Sequence, residues 1–331
     1  RRASHTETRR HRVTTDLALD ANLSVPRPYE PTMRSLLVLT LLAVTACGAA
    51  AIDNNTEATP QGRVPVEHPV RAELLADIAS IEPGKPFRLG LRLKMQHAWH
   101  VYWKNPGDSG LPVTLDPSGP SGFSFGAMQW PLPVEFNQPG DIAGYGYTDV
   151  VFFPFEVRPP ATLAQGSTVR LSVKSSWLAC RDVCIPGGAM VELELPVRAK
   201  AVSDNAATFD EWQARLPVDS GLATVKSVGG VGSGTVTVSV AWSEPVRSVQ
   251  FFPVPEAALS VSDVTVEHKD RSSTIRFKAS VLSGQKLSTG DLETLVVAID
   301  ARGTRRGIAV PVRLSGGTTA GTSANSEGDK Q

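Results

Sequence analysis

Helical periodicity is nearly absent from this sequence: few segments repeat apolar residues at spacings of three and four, which excludes the helix-rich fold classes. An excess of charge of either sign is missing too. The 33 Lys and Arg residues balance 33 Asp and Glu, leaving no field to draw nucleic acid or an anionic membrane. After residue 47 no apolar run approaches the roughly 20 residues of a membrane-spanning helix. Cysteine is scarce, with three residues in all, Cys47, Cys180 and Cys184. In an exported chain an odd number leaves one thiol unpaired, so the setting of each cysteine matters.

The first methionine is Met33, and "MRSLLVLTLLAVTACGAA" from that point has the layout of an export signal. A basic start precedes an apolar run from Leu36 to Val44, and small residues lead into Cys47. Val44-Thr45-Ala46-Cys47 resembles the lipobox of bacterial lipoproteins, which implies a signal peptide over 33–46 and acylation of Cys47. Residues 1–32 are basic and polar, with no apolar periodicity. They are expected to be an upstream translation outside the fold. With Cys47 lipidated, Cys180 and Cys184 remain as a pair, in a periplasmic setting where disulfides persist. Residues 47–65 read as a flexible tether and 315–331 as a disordered tail.

Between these ends the dominant period is two. In "FRLGLRLKM", Phe87, Leu89, Leu91, Leu93 and Met95 share one face. "TVRLSV", "VELELPV", "TVTVSVAW" and "GIAVPVRL" alternate in the same way. Such segments are strands with one face on a core, and the Pro and Gly clusters between them suit antiparallel sandwiches. "DNAATFDEWQARLP" alone spaces its apolar residues by three and four, at Phe209, Trp212 and Leu216, and predicts a short helix ended by Pro217. The expected architecture is all-β: an immunoglobulin-like sandwich over 66–200 and a smaller β domain over 201–314, joined by that helix. The second domain has no cysteine and one histidine, His268, and reads as a packing or docking module.

"WLACRDVCIPGG", Trp177 to Gly188, places the cysteines in a connection between two strands. Three readings are open. As a structural staple the pair closes only three residues, the weak end of loop-closure stabilisation. As a metal clamp its thiolates suit Cu(I), with His97, His100 or His268 as a further ligand. The spacing resembles the copper loop of Sco-type chaperones, although that family's thioredoxin architecture does not suit this chain. As a redox pair it has one thiol to attack a partner and a second to resolve the mixed disulfide. Trp177, Ile185 and Pro186 would form an apolar collar, and Arg181 is placed to stabilise a thiolate.

Four segments in order carry a family resemblance: "WHVYWKNPGDSGLP" (99–112), "QWPLP" (129–133), "GYGYTDVVFFPFEV" (144–157) and the cysteine segment itself. Together they resemble the N-terminal periplasmic domain of DsbD and ScsB-type thiol–disulfide interchange proteins. The region from "FDEWQARLP" onward resembles the segment C-terminal to that domain in the ScsB-like branch. The resemblance implies a sandwich whose cysteine pair shuttles electrons to periplasmic thiol and disulfide proteins, with Cys180 attacking and Cys184 resolving. No dissociable cofactor is implied, because the sulfurs carry the electrons. It also implies an aromatic cap loop over about 141–147. Gly144 stands where that family places a covering phenylalanine, so the expectation is that Tyr145 or Tyr147 covers the sulfurs or that they stay exposed. The family's membrane domain has no counterpart in this sequence, which implies a separate membrane electron donor. A Cu(I) module and a non-redox assembly module are the alternative functions.

Overall fold

The computed structural model describes residues 68–314, apart from 139, 141, 219–220, 229–234 and 287–289. The expected upstream stretch, signal peptide, Cys47 lipid site, tether and tail lie outside the described residues.

The alternating segments all form strands. The first part of the chain contributes β1 (Val70–Ala76), β2 (Ile78–Ser80), β3 (Phe87–Met95), β4 (His100–Gly107), β5 (Thr114–Ser118) and β6 (Ser124–Phe125). It continues with β7 (Val134–Gln138), β8 (Ile142–Thr148), β9 (Val150–Arg158), β10 (Thr168–Cys180), β11 (Cys184–Pro196) and β12 (Val202–Ser203). One sheet runs β1-β3-β9-β6 and the facing sheet β11-β10-β4-β8-β7, with β5 also on β10. The two inner faces meet on buried Leu91, Leu93, Val101, Phe153 and Ala179. Burying a phenylalanine such as Phe153 contributes about 1.5–3 kcal/mol, and many such side chains together offset the entropy of ordering the chain.

The one helix among the described residues, α1 (Ala206–Gln213), forms at the predicted segment and buries Phe209 and Trp212. Their rings pack on Phe152 at centroid distances of 4.9 and 6.3 Å, and the Arg88 guanidinium lies 5.0 Å over the Phe209 ring. The helix is thereby fixed to the β3-β9 sheet.

The remaining strands are β13 (Ala223–Val228), β14 (Thr235–Trp242), β15 (Ser248–Val254), β16 (Leu259–Lys269), β17 (Ser272–Val281), β18 (Asp291–Ile299) and β19 (Arg305–Arg313). They form a second sandwich from the sheets β13-β14-β17-β16 and β15-β18-β19, filled by Val236, Val238, Val240, Phe277 and their neighbours.

The two sandwiches share a core. Phe252, Leu295 and Val297 of the second belong to the same buried cluster as Trp103 and Tyr147 of the first. Phe252 meets Trp103 at 6.0 Å and Tyr145 at 5.1 Å, both edge to face. Polar contacts ring that seam. Asn105 Nδ2 donates to the Pro253 carbonyl at 2.6 Å, Lys104 pairs with Glu293, and Arg305 donates to the carbonyls of Leu132 and Pro133.

Candidate functional site: the cysteine hairpin

β10 and β11 pair residue by residue from Thr168 opposite Pro196 to Cys180 opposite Cys184. The cysteines therefore close the ladder of a long hairpin, and Arg181, Asp182 and Val183 form its tip. Their Cα atoms lie 4.1 Å apart and their sulfurs are joined, in keeping with the closer of the two antiparallel pair spacings, about 4.5 Å. The two residues differ in exposure. Cys180 is 1% exposed, because β10 is flanked by β11 and β4. Cys184, on the edge strand β11, is exposed. The exposed side of the disulfide is thus at Cys184, whereas the family resemblance implies the attacking role for Cys180.

Register decides which side chains accompany the sulfurs. His100 on β4 is the direct partner of Cys180, and Thr148 on β8 is the direct partner of His100. Because cross-strand partners share a face, Cys184, Cys180, His100 and Thr148 form one row across four strands. Pro186, exposed and two residues beyond Cys184, lies on the same face as that row. Trp177, Ala179, Ile185 and Val101 have the opposite parity and belong to the core side. Trp177 is buried there and closes on Gly187, where an added Cβ would stand 2.4 Å from its Nε1. It supports the hairpin from beneath and does not line an approach to it.

The expected tyrosine cover is corrected by the same parity. Tyr147 is the partner of Val101 and is buried, and its hydroxyl donates to the Pro131 carbonyl at 2.8 Å. Burial pushes its phenol well above the ordinary value. Tyr145, two residues away on the same face, packs on Phe252. Both tyrosines face away from the sulfurs. The ring on the sulfur side is Phe136, from β7. It fills the space above Gly144, where a Cβ would stand 2.3 Å from its Cε2, and it meets the His100 ring at 4.2 Å.

His100 is 8% exposed, and desolvation by burial lowers its pKa from the ordinary value. Its Nε2 lies 3.3 Å from the Tyr102 hydroxyl, which donates to Gln138 Oε1 at 3.3 Å. Sequence reasoning does not reach Phe136 and Gln138 as site neighbours. The signal is nonetheless present in "GYGY": glycines on one face and tyrosines on the other leave a bare strip that a neighbouring ring can fill.

Other expected participants are placed elsewhere. Arg181 is ion-paired to Asp182 at 2.8 Å and lies 5.3 Å over the Trp99 ring. His97 is exposed ahead of β4. His268 lies in the second sandwich with both ring nitrogens engaged, to Ser273 Oγ at 3.0 Å and the Val246 carbonyl at 2.7 Å. Of the three histidines expected as copper ligands, only His100 stands directly across from a cysteine. Among the described residues no group of three or more His, Cys, Asp or Glu side chains is arranged to hold a metal. A cavity of about 430 Å³ lies between Leu132, Tyr147, Trp212 and Arg305, and neither cysteine lines it.

Fold and site define a β-sandwich module with a half-exposed disulfide at a sheet edge. Residues 70–196, which make up most of the first sandwich, match the family described as thiol:disulfide interchange protein DsbD, N-terminal. The crystal structure of the N-terminal periplasmic domain of ScsB from Proteus mirabilis is similar with a TM-score of 0.55 at 22% identity, over 74% of this chain and 93% of that one. That span is wider than residues 70–196, and at this identity it speaks for the fold. A protein of unknown function from Porphyromonas gingivalis W83 matches at 13% identity over 75% of this chain and 100% of that one, with a TM-score of 0.21 that carries no argument. No curated protein matches this chain. No helix among the described residues is long and apolar enough to cross a membrane.

Proposed function

We propose that this chain is a periplasmic thiol–disulfide interchange module, of the protein-disulfide reductase type, that passes two electrons to or from protein partners through Cys180 and Cys184. The observation that carries the reading is the asymmetry of a joined pair, with one cysteine exposed at a sheet edge and the other buried beside it. An inert staple has no need of an exposed sulfur. Interchange needs one sulfur that a partner can reach in line and a second close enough to reform the bond. Cys184 is the meeting sulfur on this reading, and Cys180 is the resolving one. Exposed Val183 and Pro186 flank the point of contact.

The partners are periplasmic thiol or disulfide proteins, with a separate membrane protein as electron donor. Cys47, if acylated, holds the module to the membrane by its lipid alone. No dissociable cofactor takes part. Two measurements test the proposal. The reduction potential of the pair, set against a glutathione or dithiothreitol series, should lie above about −300 mV, the range below which structural disulfides fall. A Cys180→Ser variant should accumulate mixed disulfides on Cys184 in periplasmic extract. A potential below that range, together with no adduct, overturns the proposal.

A further inference from the structure

Resting on the interchange reading, we propose that His100 is the proton acceptor for Cys180 in the step that releases a bound partner. Cys180 and His100 are direct partners across β10 and β4. Such side chains leave the sheet on one face, with Cβ atoms about 4.5–5.5 Å apart. The other groups facing the imidazole are Thr148 from β8, Phe136 from β7 and the Tyr102 hydroxyl on its own strand. None carries a charge at neutral pH, since burial raises the Tyr102 phenol above its ordinary value.

His100 Nε2 lies 3.3 Å from the Tyr102 hydroxyl, which is also 3.3 Å from Gln138 Oε1. In the tautomer the proposal requires, Nε2–H donates to the Tyr102 oxygen and Nδ1 keeps a lone pair for the thiol. Burial also favours the neutral imidazole, the form that acts as a base. Cys180 needs such a base because, at 1% exposure, it has little water to take its proton.

In the reductive direction the Cys184 thiolate attacks a partner disulfide R–S–S–R′. The bond between the partner's sulfurs breaks, R′–S⁻ leaves to be protonated by solvent, and Cys184–S–S–R forms. Cys180–SH then gives its proton to His100, and its thiolate attacks Cys184 Sγ. The Cys184–S–S–R bond breaks and R–S⁻ leaves, taking up the proton that the imidazolium gives back. The cysteine pair has lost two electrons, and the partner disulfide has become two thiols. In the oxidative direction the same path runs backward, with the imidazolium protonating Cys180 as it departs.

The test uses the full chain, reduced and freed of reductant, with glutathione disulfide as the probe, acid quenching and intact mass. Wild-type protein should pass through a transient glutathione adduct at Cys184. In His100→Gln the adduct should form at a rate within about 2-fold of wild type and decay about 100-fold more slowly, the low end of general-base contributions. The wild-type decay rate should rise with pH through an ionisation below about 6.5, the ordinary histidine value. In His100→Gln it should climb only through the thiol range near about 8.5. A purely structural role would slow both steps and leave the profile in place. Equal decay in the two proteins overturns the proposal. Should His100→Gln not fold, a wild-type decay that climbs only through the thiol range overturns it too. A Cys180→Ser variant that forms no adduct at Cys184 overturns the interchange reading itself, which separates the two failures.

Discussion

His268 in the second sandwich and His100 in the first both sit on strands and both engage a hydroxyl through the ring, yet they are held differently. His268 has partners on both ring nitrogens, the Ser273 hydroxyl and the Val246 carbonyl. Ser273 also accepts from the Trp242 indole at 2.8 Å, so this imidazole ties β16 to β17 and has no spare valence. His100 has Nε2 tied to Tyr102 and stands across from a cysteine. The contrast extends to the sandwiches around them. In the second, β18 buries five consecutive residues, Thr294 to Ala298, and the polar one among them, Thr294, donates its hydroxyl to the Val310 carbonyl at 2.7 Å. In the first, β4 begins with four consecutive buried residues, His100 to Trp103. Both faces of that strand are covered, one by the core and one by the Phe136 and Tyr102 rings. A strand covered on both faces holds His100 out of water with Cys180 beside it, while the two ends of their row, Cys184 and Thr148, are exposed.

The largest effect that would break the comparison is expected at the hairpin. Cys184→Ser should abolish adduct formation with glutathione disulfide or periplasmic partners, whereas Cys180→Ser should retain it, both read by intact mass. Equal adduct formation in the two variants would mean that burial does not rank the sulfurs. A second test addresses whether the sandwiches are separate bodies. Phe252→Ala empties a fully buried site shared by both and should cost about 3–5 kcal/mol in urea unfolding. Wild-type protein should unfold in one transition by fluorescence and circular dichroism together. Two transitions, with the variant shifting only one, would show that the seam does not couple them. Gly187→Ala should have a smaller cost, about 1–3 kcal/mol from overpacking, because its Cβ would stand 2.4 Å from Trp177 Nε1 and 2.5 Å from His68 Nε2. Faster amide exchange should then appear in β10 and β11 and not in the second sandwich.

Much of the fold was legible because alternation is a local signal. Val236, Val238, Val240 and Trp242 point into the core as their spacing requires, and Phe209 and Trp212 at a spacing of three declare the helix. The cysteine hairpin was equally open to reading, being bounded by two alternating strands. The side to which Tyr145 and Tyr147 turn was not. Period two states that the tyrosines of "GYGY" lie opposite the glycines, but parity alone cannot say which face meets a partner when both are covered. The seam with Phe252 draws the tyrosines inward, and it joins residues more than a hundred positions apart. The ranking of Cys180 and Cys184 likewise depends on β11 being an edge strand, a fact of sheet order that neither strand carries in its own residues.

The smallest expected effect concerns pH, and its sign is fixed by the direction of one shift. Burial lowers the folded-state pKa of His100 below its ordinary value, while in the unfolded chain the imidazole titrates near about 6.5. As pH falls below that value, the unfolded state binds a proton that the folded state resists. Stability therefore falls with pH until the folded-state pKa is passed, and below it the contribution is flat. Urea midpoints for the oxidised protein should thus be lower at pH 5 than at pH 7.5. The part of that difference due to His100 should vanish in His100→Gln and persist in His268→Gln. If the two variants keep the same pH dependence as wild type, His100 is not held neutral by its surroundings, and the distinction between the two histidines fails where it is most finely drawn.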